Sequence, residues 1–256
     1  MSTEEAASLP PQIIVRRVEG LKGINEMQIN SQGAKIVNLS LEGHPIFITV
    51  LRGDGKSAST HPCSPNFGPD TKGFGLPQHG PARNERWTLV KGSDLGVSME
   101  SAIEGGTYPK GLVVRQDYIL SQDGFTLETK HTNNGSEQLP VNFGEHFYWN
   151  APQGFDELTI NGRNAADIFR DPAGGLIQLE PSNRIQIPGV GSIRLDQEKL
   201  PFAYLWIGRG SNKDIDRGYV CIEPIEGDPK SFFGSAESML KIGESRTSRI
   251  SLKLDV

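Results

Sequence analysis

The chain has 256 residues, 36% hydrophobic and 22% charged, too apolar and too mixed in sign for a disordered polymer and long enough to bury a sizeable core. With 26 Lys and Arg against 31 Asp and Glu, the formal net charge is −5, which excludes a general binder of nucleic-acid backbone, since that needs a basic face. Gly (30) and Pro (17) make up about 18% of the chain, against an average near 12%, so the chain turns often.

Two cysteines, Cys63 and Cys221, stand far apart with no CxxC pair, which argues against a zinc ribbon, a redox dithiol or a disulfide scaffold and favours a reducing compartment. No apolar run approaches the ~18 residues of a membrane span. The N-terminus is acidic where a signal peptide is basic and then apolar. The expectation is a soluble cytoplasmic protein with no membrane or nucleic-acid partner.

In chain order, residues 1–11 read as a flexible lead ending in Pro10-Pro11, and residues 12–256 as one domain. Period-two alternation then dominates. Val37, Leu39 and Leu41 alternate with Asn38, Ser40 and Glu42; Phe125, Leu127 and Thr129 with Thr126, Glu128 and Lys130; and Ile250, Leu252, Leu254 and Val256 with Ser251, Lys253 and Asp255. Strands with one buried face produce this pattern. Turn pairs punctuate it at Asp123-Gly124, Asn134-Gly135, Asn161-Gly162 and Pro188-Gly189. The stretch from Gly53 to Pro81 is dense in Gly, Pro and Ser and reads as an elaborate loop, a length that inside a compact domain is usually functional or disordered. Residues 94–104 are the best helical candidate. The predicted architecture is all-β: one large antiparallel sandwich with few helices.

The chemistry-bearing residues are few. Of five histidines, His44 and His131 read as ordinary strand or turn residues. His79 sits in Leu76-Pro77-Gln78-His79-Gly80-Pro81-Ala82-Arg83, where Pro77, Gly80 and Pro81 restrict the backbone and hold a side chain in place. A loop histidine beside an unrelated arginine is the competing reading. His146 lies in Glu145-His146-Phe147-Tyr148-Trp149; an ionisable ring beside three aromatics suits a sugar site, and a satisfied core histidine is the alternative. His61, in Thr60-His61-Pro62-Cys63, is a weaker third member. Glu223 is flanked by Ile222 and Pro224 in Val220-Cys221-Ile222-Glu223-Pro224; it either lines a cavity as a base of raised pKa or is an outward strand charge. Gly55-Lys56-Ser57 resembles the tail of a phosphate loop, but Val50 stands where its first glycine belongs.

Together these pieces resemble the aldose 1-epimerase (galactose mutarotase-like) superfamily, nearest to its hexose-6-phosphate 1-epimerase-like branch. Pro65-Asn66-Phe67-Gly68, then residues 76–83 and Trp87, resemble that branch's P-x-F-G … LPxHGFAR … W. His146-Phe147-Tyr148-Trp149 resembles its His-x-Tyr-Phe element, and residues 220–224 its V-C-x-E-P strand. The resemblance implies a large antiparallel β-supersandwich. It also implies Glu223 as general base on the anomeric hydroxyl, His146 as general acid at the ring oxygen, and His79 and Arg83 as substrate-binding residues. Asp167 is the weaker substrate-contacting candidate. On that reading Glu223 starts ionised and His146 protonated, and neither metal nor redox cofactor is needed. The partner is a small sugar or sugar phosphate, and the chain a monomer or weak dimer.

Two departures stand out. The branch's Arg-Gly-Gly-Ile-Pro element, whose arginine helps hold a 6-phosphate, is Ser57-Ala58-Ser59-Thr60-His61-Pro62 here, and Pro81 replaces the usual Phe. An unphosphorylated aldose is therefore as open as a phosphorylated one, with Arg83 and Lys56 as partial substitutes for the missing arginine. The competing function is a non-catalytic carbohydrate-binding or scaffold protein on the same fold.

Overall fold

Alternating side chains become two large antiparallel sheets in a computed structural model, which describes residues 10–52, 55–170, 175–206 and 218–255. The first sheet has ten strands. It runs from Ile13–Glu19 through Ile24–Asn30, Lys35–Leu41, His44–Phe47, Tyr148–Asn150, Tyr219–Ile225 and Gly144–His146 to His61–Cys63, with Phe202–Trp206 and Leu176–Gln178 joined to the flank of Tyr219–Ile225. The second has nine strands. Its centre is the long trio Ser245–Asp255, Gly124–Asn133 and Leu112–Ser121.

One face of each sheet builds a shared core. In the second sheet Leu120, Phe125, Leu252 and Leu195 stand opposite one another across four strands, all buried. From the first sheet, Met27, Leu39, Phe47, Phe147, Trp149, Val220 and Ile222 pack against them. A fully buried Leu, Ile or Phe side chain contributes about 1.5–3 kcal/mol, so this layer accounts for the packing of the sheets.

The structure amends the sequence reading at several points. Residues 94–104 are not helical: Gly96–Ile103 is a strand between Thr88–Gly92 and Leu112–Ser121. Val97, Met99 and Ile103 face the core at period two, so cross-strand pairing overrides the weak helical spacing. In Lys35–Leu41 the inward residues are Ile36, Leu39 and Leu41, with Val37 only half-buried, because a register shift between Gln28 and Ile29 of the neighbouring strand changes the alternation. The loop expected from Gly53 to Pro81 includes His61–Cys63, which completes the edge of the first sheet. Residues 1–9, most of the expected lead, and Val256 fall outside the described residues. Among those described, no helix is long and apolar enough to cross a membrane.

Candidate active site

The centre of the first sheet carries the chemistry on the face turned away from the core. Strand Gly144–His146 pairs with His61–Cys63, placing His146 opposite His61. Gly144 lies opposite Ile225 and Tyr148 opposite Cys221; that register puts His146 across from Glu223. On the far side of the same strand Tyr204 stands opposite Glu223, and Trp206 opposite Cys221. Two adjacent cross-strand rows result: His61, His146, Glu223, Tyr204, and beside it Tyr148, Cys221, Trp206. Directly opposite residues in antiparallel strands have Cβ atoms about 4.5–5.5 Å apart, so residues distant in the chain converge.

Strand alternation also sorts the aromatics beside His146. Tyr148 shares its face and stacks on its ring, with centroids 4.8 Å apart and planes at 13°. Phe147 and Trp149 point the other way, into the core. The three-aromatic cluster in the sequence therefore supplies one ring to the site, and Phe67, Tyr204 and Trp206 bring the rest from other segments.

These side chains line a cleft of about 650 Å³, together with Arg52, Gln78, His79, Arg83, Asp228 and Lys230, within the size range of small-molecule sites. Nε2 of His146 lies 3.5 Å from Oε1 of Glu223. Both residues are buried, at 7% and 2% exposure. The structure thus brings four of the five candidate residues, His79, Arg83, His146 and Glu223, into one cleft. It does not bring Asp167, which lies on the short helix Ala165–Arg170, exposed and ion-paired with Arg170 at 3.2 Å. Lys56 is likewise not among the lining residues.

His79 is held by its loop. Its backbone is left-handed (φ 64°), and the following Gly80 is too (φ 71°). The His79 N–H donates to the Gly68 carbonyl at 2.8 Å, and the Gly68 N–H donates to His79 Nδ1 at 3.3 Å. Accepting at Nδ1 leaves Nε2 to carry the proton of the neutral ring. Burial, reinforced by Arg83, lowers the His79 pKa to about 4, so the ring is neutral and a hydrogen-bond donor at neutral pH.

His61 is a supporting ring. It stacks on His146 at 4.8 Å and its Nδ1 donates to the Ser59 carbonyl at 2.8 Å. Burial lowers its pKa to about 3, so it adds no charge beside His146 and Glu223. His131, on the core side, is held by Ser64 Oγ at 3.1 Å.

The proton state of the pair differs from the sequence expectation. Burial pushes Glu223 well up and pushes His146 well down, helped by His61, His79 and Arg83. Both directions favour neutral forms, so the pair's one proton rests on Glu223 rather than on His146. The reason is desolvation: a separated carboxylate and imidazolium have little water to stabilise them here.

Sequence reasoning passed over Arg52, Gln78, Tyr204, Trp206, Asp228 and Lys230. Tyr204 carries no local signal, since its cross-strand partner Glu223 defines it, and Arg52 reaches the cleft from the residue just after the short strand Val50–Leu51.

A family model for aldose 1-epimerase matches residues 38–184, more than half of the chain. No curated protein matches it. Among solved structures, a galactose mutarotase-like protein from Lactobacillus casei superposes with a TM-score of 0.72 at 18% identity, covering 95% of this chain and 100% of that one. One from Clostridium acetobutylicum gives 0.69 at 18%, covering 96% and 98%. An aldose epimerase homologue from C. elegans gives 0.62 at 14%, covering 96% and 99%. These likenesses establish the galactose mutarotase-like fold, and with the matched family model the chain belongs to the aldose 1-epimerase family.

Proposed function

We propose that the protein is a sugar 1-epimerase, interconverting the α and β anomers of an aldohexose by acid–base ring opening. The observation that supports this most directly is the 3.5 Å approach of His146 Nε2 to Glu223 Oε1 in the wall of an aromatic cleft. Opening a cyclic hemiacetal requires a proton to leave O1 while another reaches O5. The reacting form is the minor tautomer, reached when the shared proton shifts from Glu223 to His146 across their contact: the Glu223 carboxylate then removes the O1 proton and His146 protonates O5. The C1–O5 bond breaks and an aldehyde forms. The pair then stands as neutral acid and neutral imidazole, the tautomer that burial favours. The aldehyde turns about C1–C2, and closure runs the same transfers in reverse on the other face. The Nε2–H of His79 serves as a donor to the ring oxygen or a neighbouring hydroxyl. Tyr148, Tyr204 and Trp206 offer faces to the sugar's C–H bonds. Positioned acid and base groups contribute about 10²–10⁴-fold each, enough for a reaction that already proceeds slowly in water.

The cleft also supports a phosphorylated substrate. Arg52, Arg83 and Lys230 line it with Asp228 as the only lining acid besides Glu223 among the described residues. Arg52, which directly follows the short strand Val50–Leu51, supports this reading as a counterpart of the arginine missing from residues 57–62. The test is anomeric exchange, followed by polarimetry or NMR, on α-glucose, α-galactose and glucose 6-phosphate. Acceleration that is lost in Glu223→Gln supports the reading, and the preferred sugar identifies the class. No acceleration of any of the three by a folded protein overturns it in favour of sugar binding without turnover.

A further inference from the structure

Cys221 has no part in that chemistry, yet it lies two residues before Glu223 on the same face of the strand Tyr219–Ile225. One ring nitrogen of His146, Sγ of Cys221 and one carboxylate oxygen of Glu223 all lie within 4.8 Å of one another. The geometry points to a zinc site that silences the acid–base pair: a thiophilic divalent cation held by His146, Cys221 and Glu223.

Three features support it. The first is spacing. Zn–N and Zn–O bonds of about 2.0–2.1 Å in a tetrahedron set ligand atoms about 3.3 Å apart. His146 Nε2 and Glu223 Oε1, at 3.5 Å, are already there, and the Cys221 sulfur lies within 4.8 Å of the ligand atoms of both. The second is charge. A divalent cation with one thiolate, one carboxylate and one neutral imidazole is electrically neutral, which is what a buried site requires. Binding would release the thiol proton and the proton shared by the pair, leaving no proton to transfer. The third is access. His146 and Glu223 line the cleft, while Cys221, in the adjacent cross-strand row between Tyr148 and Trp206, is fully buried. Nitrogen and oxygen are therefore the ligand atoms that an ion in the cleft reaches directly. Three protein ligands leave a fourth coordination position for water or a sugar hydroxyl, as in other zinc sites of that kind. Softness selects the ion: a thiolate favours zinc over magnesium or calcium.

The claim shares residues with the proposed epimerase but does not depend on turnover, because metal binding is read directly. The full-length protein is titrated with zinc against a chromophoric chelator, and with cobalt(II) as a spectroscopic substitute. The expected result is one zinc per chain and a cobalt complex showing tetrahedral d–d bands with sulfur-to-cobalt charge transfer. Cys221→Ser should lose the charge-transfer band and at least ~100-fold in zinc affinity, while Cys63→Ser keeps both. The absence of stoichiometric zinc binding, or of the sulfur band in the unaltered protein, overturns the inference whether or not the variants fold. Retention of the band in a folded Cys221→Ser variant does the same. If the protein proves to be an epimerase, stoichiometric zinc should abolish turnover and a chelator restore it. A protein that binds zinc but turns over no sugar would count against the epimerase alone.

Discussion

Glu145 and His146 are adjacent in one short strand and face opposite sides of the sheet, His146 toward the cleft and Glu145 into the core. Glu145 is 1% exposed and lies against Gln116 Nε2 and Thr129 Oγ1. The Tyr118 hydroxyl lies within hydrogen-bond distance of both the Gln116 side-chain oxygen and the Ala34 carbonyl, which compete for its one proton. The strand that carries His146 is therefore anchored from behind by a buried polar network, and a single peptide step separates the two environments.

That network makes stability depend on pH. Burial raises the Glu145 pKa to about 8, opposed by its bonds from Gln116 and Thr129. Between an unfolded value near 4.3 and the folded value, the native state holds a proton that the unfolded state has lost. Stability therefore falls as pH rises across that window. The cost at pH 8 is on the order of 4 kcal/mol. Glu145→Gln should remove this slope and be more stable than the parent at pH 8 but not at pH 4. Denaturant midpoints measured at both pH values check it, and parallel losses in the two proteins would show that Glu145 is ionised in the native state.

For the acid–base pair, Glu223→Gln and His146→Gln should each lower kcat by about 10²–10⁴-fold. The double variant should lose little more than the worse single one, because the two act as a unit. Anomeric exchange rates by NMR decide this. A multiplicative loss would mean that the residues work independently.

The pH–rate profile follows from the directions of shift. As pH falls through the lowered His146 value, the pair gains a second proton and Glu223 can no longer act as base. As pH rises through the raised Glu223 value, the pair loses its only proton and His146 can no longer act as acid. The plateau of kcat/KM should therefore extend across neutrality, with limbs that belong to the pair. An acidic limb at the ordinary histidine value near 6.5 would contradict the desolvated setting of His146.

Gly80 couples loop geometry to the site. A Cβ there would lie 2.0 Å from the Ser64 carbonyl oxygen, and its φ is +71°. Gly80→Ala should cost about 1–3 kcal/mol and lower turnover by displacing His79. Gly43, with φ +80° and open space around its Cβ position, is the control: Gly43→Ala should carry only the backbone cost of about 1 kcal/mol with turnover unchanged. Thermal melts with parallel kinetics separate the two, and equal effects would sink the argument from the Ser64 contact.

The all-β class was legible in the chain because a strand with one buried face writes its alternation locally, as at residues 125–129 and 250–254. His79, Arg83, His146 and Glu223 were legible because short segments around them resemble a family's motifs. What the chain could not show was which face each residue occupies. Glu223 flanked by Val220 and Ile222 fits either side of a sheet, and His146 beside Phe147 and Trp149 reads as a core residue as readily as a site. Register decides both. Setting Gly144 against Ile225 and Tyr148 against Cys221 turns His146, Glu223, Tyr204 and Trp206 to one face, and a slip of one residue would send them all into the core. Such cross-strand neighbours are set by hydrogen-bonded pairing over long sequence separations, which no local pattern encodes; the position of Arg52 in the cleft and of Asp167 outside it is likewise decided only by the tertiary fold.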